Sequence, residues 1–278
     1  MQKKLLVAVL GTLFALPALA DTAPTTSPAT APAAAPAAAP EAAAAPAPVV
    51  TSNVALVTNY LYRGLTQSGG NPAVQGGFDY TPASGFYIGA WGSSISWLSD
   101  QGSTQGSSGL ELDTYLGYRN SFATDYSYDV GYLRYNYPGH YAQGATKGDT
   151  DEIYALIGYK WITAKYSYAL GNTFGTANTT GSNYFDLSAS YAIGDSGYTV
   201  GAHYGIQTYT GTGSSVVING TSDSLTYSDY RVSVTKDLTN GFAAGLTWSS
   251  TNANDAWTNG QGYKEGQSVV VASLSRTL

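Results

Sequence analysis

A period of two runs through this chain from about Thr51 to its C-terminus, and it limits the possible folds more than any other feature. Leu110, Leu112, Thr114, Leu116 and Tyr118 alternate with Glu111, Asp113, Tyr115, Gly117 and Arg119. Ile153, Ala155, Ile157 and Tyr159 alternate with Glu152, Tyr154, Leu156 and Gly158. Phe185, Leu187, Ala189 and Tyr191 do the same, as do Tyr198, Val200, Ala202, Tyr204 and Ile206. Residues two apart share one face of an extended strand, so each segment carries an apolar face and a polar, charged face. No stretch after Thr51 repeats apolar residues at helical spacing over helical length. The pattern predicts about twelve strands: 53–66, 72–81, 85–96, 109–120, 125–137, 151–161, 163–172, 183–192, 197–209, 226–237, 241–250 and 267–278.

The connections alternate as well. Short turns at 82–84, 121–124, around Ile162, 193–196 and 238–240 take turns with longer segments at 67–71, 97–108, 138–150, 172–182, 209–225 and 251–266. A transmembrane antiparallel up-and-down β-barrel needs this rhythm, with tight turns on one rim and exposed loops on the other. In such a barrel the apolar face meets lipid and the charged face meets the lumen, because a lipid-facing charge at the midplane costs roughly 2–4 kcal/mol. The tyrosines fit this reading: Tyr60, Tyr62, Tyr80, Tyr118, Tyr126, Tyr159, Tyr166, Tyr198 and Tyr227 fall near expected strand ends, where aromatic girdles lie. The last strand keeps the outward phase through Val270, Ala272, Leu274 and Leu278, with Arg276 in the same phase near the membrane interface.

Ahead of the barrel, Lys3 and Lys4, the apolar run Leu5–Leu16 and Ala18-Leu19-Ala20 read as a signal peptide over 1–20. Residues 21–50 are almost wholly Ala, Pro and Thr, an extended periplasmic linker with nothing to bury. The barrel is then 51–278.

Strand direction places the polar residues inside. Pairing Arg63 with Gln75 across the first hairpin also sets Asn59 against Asp79. Glu111, Asp113, Glu152, Asp186 and Asp229 are expected in the outer half of the lumen with Arg63 and Arg231, and Arg119, Lys160 and Lys165 in the periplasmic half. His203 is expected beside Asp186 or Asp229. Twelve tilted strands enclose a backbone diameter of about 24 Å, which side chains narrow to about 10 Å or less. Inward Gly77, Gly117, Gly131, Gly158, Gly201 and Gly245 are expected to leave room that inward Tyr115, Tyr154 and Tyr184 take away.

Composition excludes several functions. There is no Cys, so no disulfide or thiolate metal site, and a net charge of −6 is the wrong sign for nucleic acid. With only His140 and His203, a hydrolytic site is poorly supplied. No metal cluster, cofactor fingerprint or catalytic set is expected.

From Asn53 onward the chain resembles the TorF-type porins, a proteobacterial outer-membrane family. The resemblance rests on Thr58-Asn59-Tyr60 with Arg63-Gly64 and Gln67, on Gly85-Phe86-Tyr87-x-Gly89-x-Trp91, on Glu111-Leu112-Asp113-x-Tyr115-x-Gly117-Tyr118, and on Tyr135-x-Tyr137-Pro138-Gly139. It implies an outer-membrane barrel and a channel, without a set substrate. The expected function is passive diffusion of small hydrophilic solutes with a weak cation preference. The alternative is a non-conducting barrel whose outer loops bind an external ligand, and an outer-membrane hydrolase ranks below both. The expected partners are outer-membrane lipid and lipopolysaccharide, the barrel-assembly machinery and the solutes themselves.

Overall fold

The computed structural model describes residues 49–101 and 106–278. The signal segment and the linker up to residue 48 lie outside the described residues. Twelve strands close into one antiparallel barrel. In chain order they are β1 (Val49–Val57), β2 (Ala73–Thr81), β3 (Phe86–Ser94), β4 (Leu110–Phe122), β5 (Tyr126–Asn136), β6 (Thr150–Tyr159), β7 (Ile162–Ala169), β8 (Asn183–Ala192), β9 (Tyr198–Thr208), β10 (Tyr227–Asp237), β11 (Phe242–Thr251) and β12 (Val269–Thr277). Each pairs with its neighbours in sequence, and β12 returns to β1 with Leu274 opposite Leu56. Closure leaves no edge strand to be satisfied.

One rim carries the tight turns. At 238–241 the turn is made by Asn240 and Gly241, both at left-handed φ (60° and 77°), the combination that matches the twist of a two-stranded ribbon. The other rim carries the long connections, including a short helix at Trp97–Asp100 and a small hairpin of Ser215–Ile218 with Thr221–Ser224.

The outside is apolar. Val54, Ile88, Leu116, Ile157, Leu187, Val232 and Leu246 all point outward, and Leu116 and Val232 are 52% and 56% exposed. A continuous apolar surface of this kind far exceeds the patches that water-soluble monomers show. Aromatic residues chain along the tight-turn rim: Phe86 with Tyr118, Phe122 with Tyr126, Tyr126 with Tyr159, and Trp161 with Tyr191. Arg276 lies over the Phe242 ring at 5.0 Å on the same rim. Three of the tyrosines expected in a girdle lie elsewhere. Tyr60 and Tyr62 are buried inside the barrel, and Tyr227 faces inward, 4% exposed.

The first strand also departs from expectation. It ends at Val57, opposite Ala73, and its register sets Ala55 against Gln75 and Thr51 against Asp79. The Arg63–Gln75 and Asn59–Asp79 pairs therefore do not form. Arg63 and Gly64 take left-handed φ values of 46° and 80°. They make a two-residue turn that folds Leu61–Tyr62 back onto Leu65–Thr66.

Candidate functional site

The lumen holds nearly all the buried charge, and residues 58–72 fill its long-loop half. Every residue from Asn59 to Ser68 is buried. The segment crosses the lumen and touches the wall on nearly every side. The Tyr60 ring meets Trp91 of β3 edge-on at 5.6 Å, and its hydroxyl donates to Glu111 of β4 at 2.7 Å. The Tyr62 hydroxyl donates to that of Tyr135 on β5 at 2.7 Å. Arg63 Nη2 lies 2.9 and 2.7 Å from the two Glu152 oxygens on β6, and its Nη1 donates to Gln207 Oε1 on β9 at 2.5 Å. A Cβ on Gly64 would stand 2.6 Å from Asp229 Cβ on β10 and 2.5 Å from Thr251 Cγ2 on β11, so only glycine fits there. The loop is tied internally through Asn59, whose Oδ1 accepts from Thr66 Oγ1 at 2.5 Å and Ser68 Oγ at 3.2 Å. Asn59 and Arg63 are thus inside the lumen, but on this plug and not on the wall.

Below the plug the wall is built from aromatic residues seated on glycines. Tyr87 and Gly89 of β3 lie opposite Gly117 and Tyr115 of β4, each ring over the other strand's glycine. Trp91 faces Gly77, and Tyr154 faces Gly131. A Cβ on Gly89, Gly117 or Gly131 would come within 2.6 Å of the opposing tyrosine ring or hydroxyl. Of the inward glycines, Gly158 and Gly201 face Ser127 and Ser233, whereas Gly77, Gly117 and Gly131 do not leave the free space the sequence suggested but hold rings flat on the wall. The hydroxyls then reach carboxylates: Tyr115 donates to Asp79 at 2.9 Å and Tyr87 to Asp129 at 2.6 Å, while Tyr87 and Tyr154 bond to each other. Arg119 lies over the Tyr87 ring at 4.2 Å and Lys165 over Tyr154 at 4.1 Å.

On the opposite wall His203 sits between two carboxylates, joining both the partners expected as alternatives. Nδ1 is 3.1 Å from Asp186 and Nε2 is 2.9 Å from Asp229. Tyr184 donates to Asp229 at 2.8 Å, and Ser188 donates to Asp186 at 2.7 Å. Arg231 lies in register between His203 and Ser249. Gln75, Glu111 and Asp113 face inward and are 6%, 1% and 0% exposed. Lys160 does not line the pore. Its φ of 53° ends β6 in the tight turn, where the side chain is exposed and 3.7 Å from Asp125. Asp129 and Gln207 are the functional neighbours the sequence reading left unassigned. Both lie on the polar phase of their strands, but their partners become visible only with the register and the plug in place.

Above the plug, Glu265 in the 252–268 loop accepts from Gln101 Nε2 at 3.2 Å, and its carbonyl accepts from the Thr66 amide at 3.0 Å. Burial, with a smaller contribution from the nearby Asp100 charge, pushes its carboxyl up to about 8.

An apolar exterior, a charged interior and a closed ring of strands define a transmembrane β-barrel. Residues 41–278 match a family described as a bacterial protein of unknown function (Gcw_chp), and the chain belongs to that family. No curated protein sequence matches it. Among solved structures it is similar to the KdgM porin, at 9% identity and a TM-score of 0.48 over 82% of this chain and 98% of that one. The NanC porin gives 7% identity and a TM-score of 0.47 over the same shares. OprD of Pseudomonas aeruginosa gives 13% identity and a TM-score of 0.39 over 82% of this chain and 66% of that one.

Proposed function

We propose that this protein is an outer-membrane, porin-like channel for small hydrophilic solutes, with a weak preference for cations, and that the 58–72 loop closes it in the state described. The observation that carries this reading is a lumen lined by charged and hydroxylated side chains inside an apolar, lipid-facing exterior. Inward Asp79, Glu111, Asp113, Asp129, Glu152, Asp186 and Asp229 outnumber Arg63, Arg119, Lys165 and Arg231, so the potential along an open lumen favours cations. The finer assignment to the TorF-type porins is supported by the motifs Tyr87-x-Gly89 and Tyr115-x-Gly117, which here form the ring-on-glycine wall. On this reading the linker ahead of β1 lies in the periplasm, and its expected last residues, Val49 and Val50, belong to the barrel, opposite Thr81 and Tyr80. Outer-membrane lipid and lipopolysaccharide surround the belt, and the assembly machinery receives the apolar last strand.

The buried run from Asn59 to Ser68 favours a second reading, a non-conducting barrel whose outer loops bind an external ligand. A hydrolase is less well supported. Ser188 Oγ lies 3.0 Å from His203 Nδ1, but its proton already goes to Asp186 at 2.7 Å, and the same carboxylate occupies that ring nitrogen at 3.1 Å.

The test is the reversal potential across a planar bilayer in a salt gradient. A modest cation preference is expected, shrinking at 1 M salt, where the screening length falls to about 3 Å. Clear anion preference would refute the assignment.

A further inference from the structure

The wall residues that hold Arg63 form a receptor in their own right. The guanidinium is 6% exposed at the residue level and is met on three sides. Glu152 brings both carboxylate oxygens to Nη2, at 2.9 and 2.7 Å, and Gln207 supplies a carbonyl oxygen on the other terminal nitrogen at 2.5 Å. The Tyr184 ring lies 4.4 Å from the guanidinium carbon and the Phe174 ring 5.8 Å from it. None of these four residues belongs to the plug. They come from β6, β9, β8 and the 170–182 loop, so the site stays on the wall when the plug lifts. Separate acceptors on the two terminal nitrogens, with an aromatic ring 4.4 Å from the carbon between them, suit a guanidinium better than a compact ammonium.

We propose that Glu152, Gln207, Tyr184 and Phe174 form a guanidinium-binding site on the lumen wall. Arg63 fills it from within the same chain to hold the plug closed, and a solute carrying a guanidinium group competes for it and favours the open lumen. The channel reading is needed only for that last consequence. The site and its latch stand on the geometry alone.

The chain has no native cysteine, so Leu65→Cys, at a plug position 5% exposed, reports plug seating by its reaction with a maleimide in detergent or vesicles. Labelling should be slow in the otherwise native protein. Adding Arg63→Ala should speed it by roughly tenfold or more, the factor that about 1.4 kcal/mol represents. Millimolar guanidinium chloride should then restore protection, because the plug's own Tyr62 ring, 4.8 Å from the Arg63 guanidinium carbon, adds to the site only when the plug is seated, while equal concentrations of sodium or methylammonium chloride should not. Glu152→Gln added to Arg63→Ala should abolish the rescue. Heat-modifiable migration shows that each variant is folded. If Arg63→Ala does not give the folded form, Arg63→Lys replaces it, and faster labelling than in the native protein is again expected. Unchanged labelling in the folded Arg63 variant would overturn the latch. Rescue that is absent, or equally good with sodium, would overturn the guanidinium site. If labelling responds as expected but no variant conducts in a bilayer, the channel reading fails and the binding site stands.

Discussion

The ring-on-glycine wall makes a prediction whose sign reverses with its partner. Gly89 is not at a left-handed φ, so alanine suits its backbone, and Gly→Ala in a strand should by itself stabilise by about 0.5–1 kcal/mol through the unfolded chain. Here the added Cβ would lie 2.5 Å from Tyr115 Cζ and 2.6 Å from its hydroxyl. The ring must swing off the wall, which breaks the 2.9 Å bond to Asp79. A hydrogen bond to a charged acceptor contributes about 1.5–3 kcal/mol, and overpacking costs about 1–3 kcal/mol more. Gly89→Ala should therefore destabilise the barrel by about 2–5 kcal/mol net. In a Tyr115→Ala background the clash and the bond are both gone, and the same substitution should be neutral or slightly stabilising. The assay is a double-mutant cycle on urea unfolding in lipid vesicles, followed by intrinsic fluorescence and heat-modifiable migration. Additivity within about 0.5 kcal/mol, the behaviour of independent sites, would refute the reasoning.

Two further outcomes follow from the faces and from the 252–268 loop above the plug. Val232→Arg puts a charge on the lipid face and should impair assembly by roughly 2–4 kcal/mol, whereas Ser233→Arg, one residue along, points into the lumen and should be tolerated better. Equal assembly yields in a vesicle-folding assay would contradict the assignment of faces. Glu265 ionises near 4.5 in the unfolded chain but only near 8 when folded, so its contribution to stability is complete below about pH 4.5 and is lost as pH rises to about 8. Thermal stability of the native protein should thus fall across that window, by on the order of a few kcal/mol, relative to Glu265→Gln. Parallel pH profiles for the two would show that this carboxyl is not held neutral.

Alternation made the barrel legible, because a strand with lipid on one side and polar side chains on the other must sort its residues by parity. The strands expected at 109–120 and 226–237 form at Leu110–Phe122 and Tyr227–Asp237, with the charged phase inward. Parity fails where both faces of a segment are buried. Thr58 to Thr66 continues the first strand on paper but runs Tyr60, Leu61 and Tyr62 together without alternation, and as a plug it buries Tyr60 and Arg63 alike and has no solvent face to mark. Arg63-Gly64 carried the only turn signal, and it could be read equally as a strand end. Lys160 was misplaced for a related reason: one left-handed residue moved it from the wall to the rim. The Tyr-x-Gly spacing was visible in the sequence. Its meaning needed the register, since a ring over a glycine on the next strand depends on which residues stand opposite.

On the channel reading the lumen is a path closed by one loop, and removing that loop tests it most directly. Replacing Leu61–Gly70 with a short Gly/Ser linker leaves the Val57–Ala73 pair and every barrel strand in place, and single-channel recording compares this variant with the native protein. Rare or small openings are expected for the native protein and a steady, cation-preferring conductance for the variant. A folded, heat-modifiable variant that stays silent would mean the side chains of the wall close the barrel by themselves, and the channel reading would be wrong.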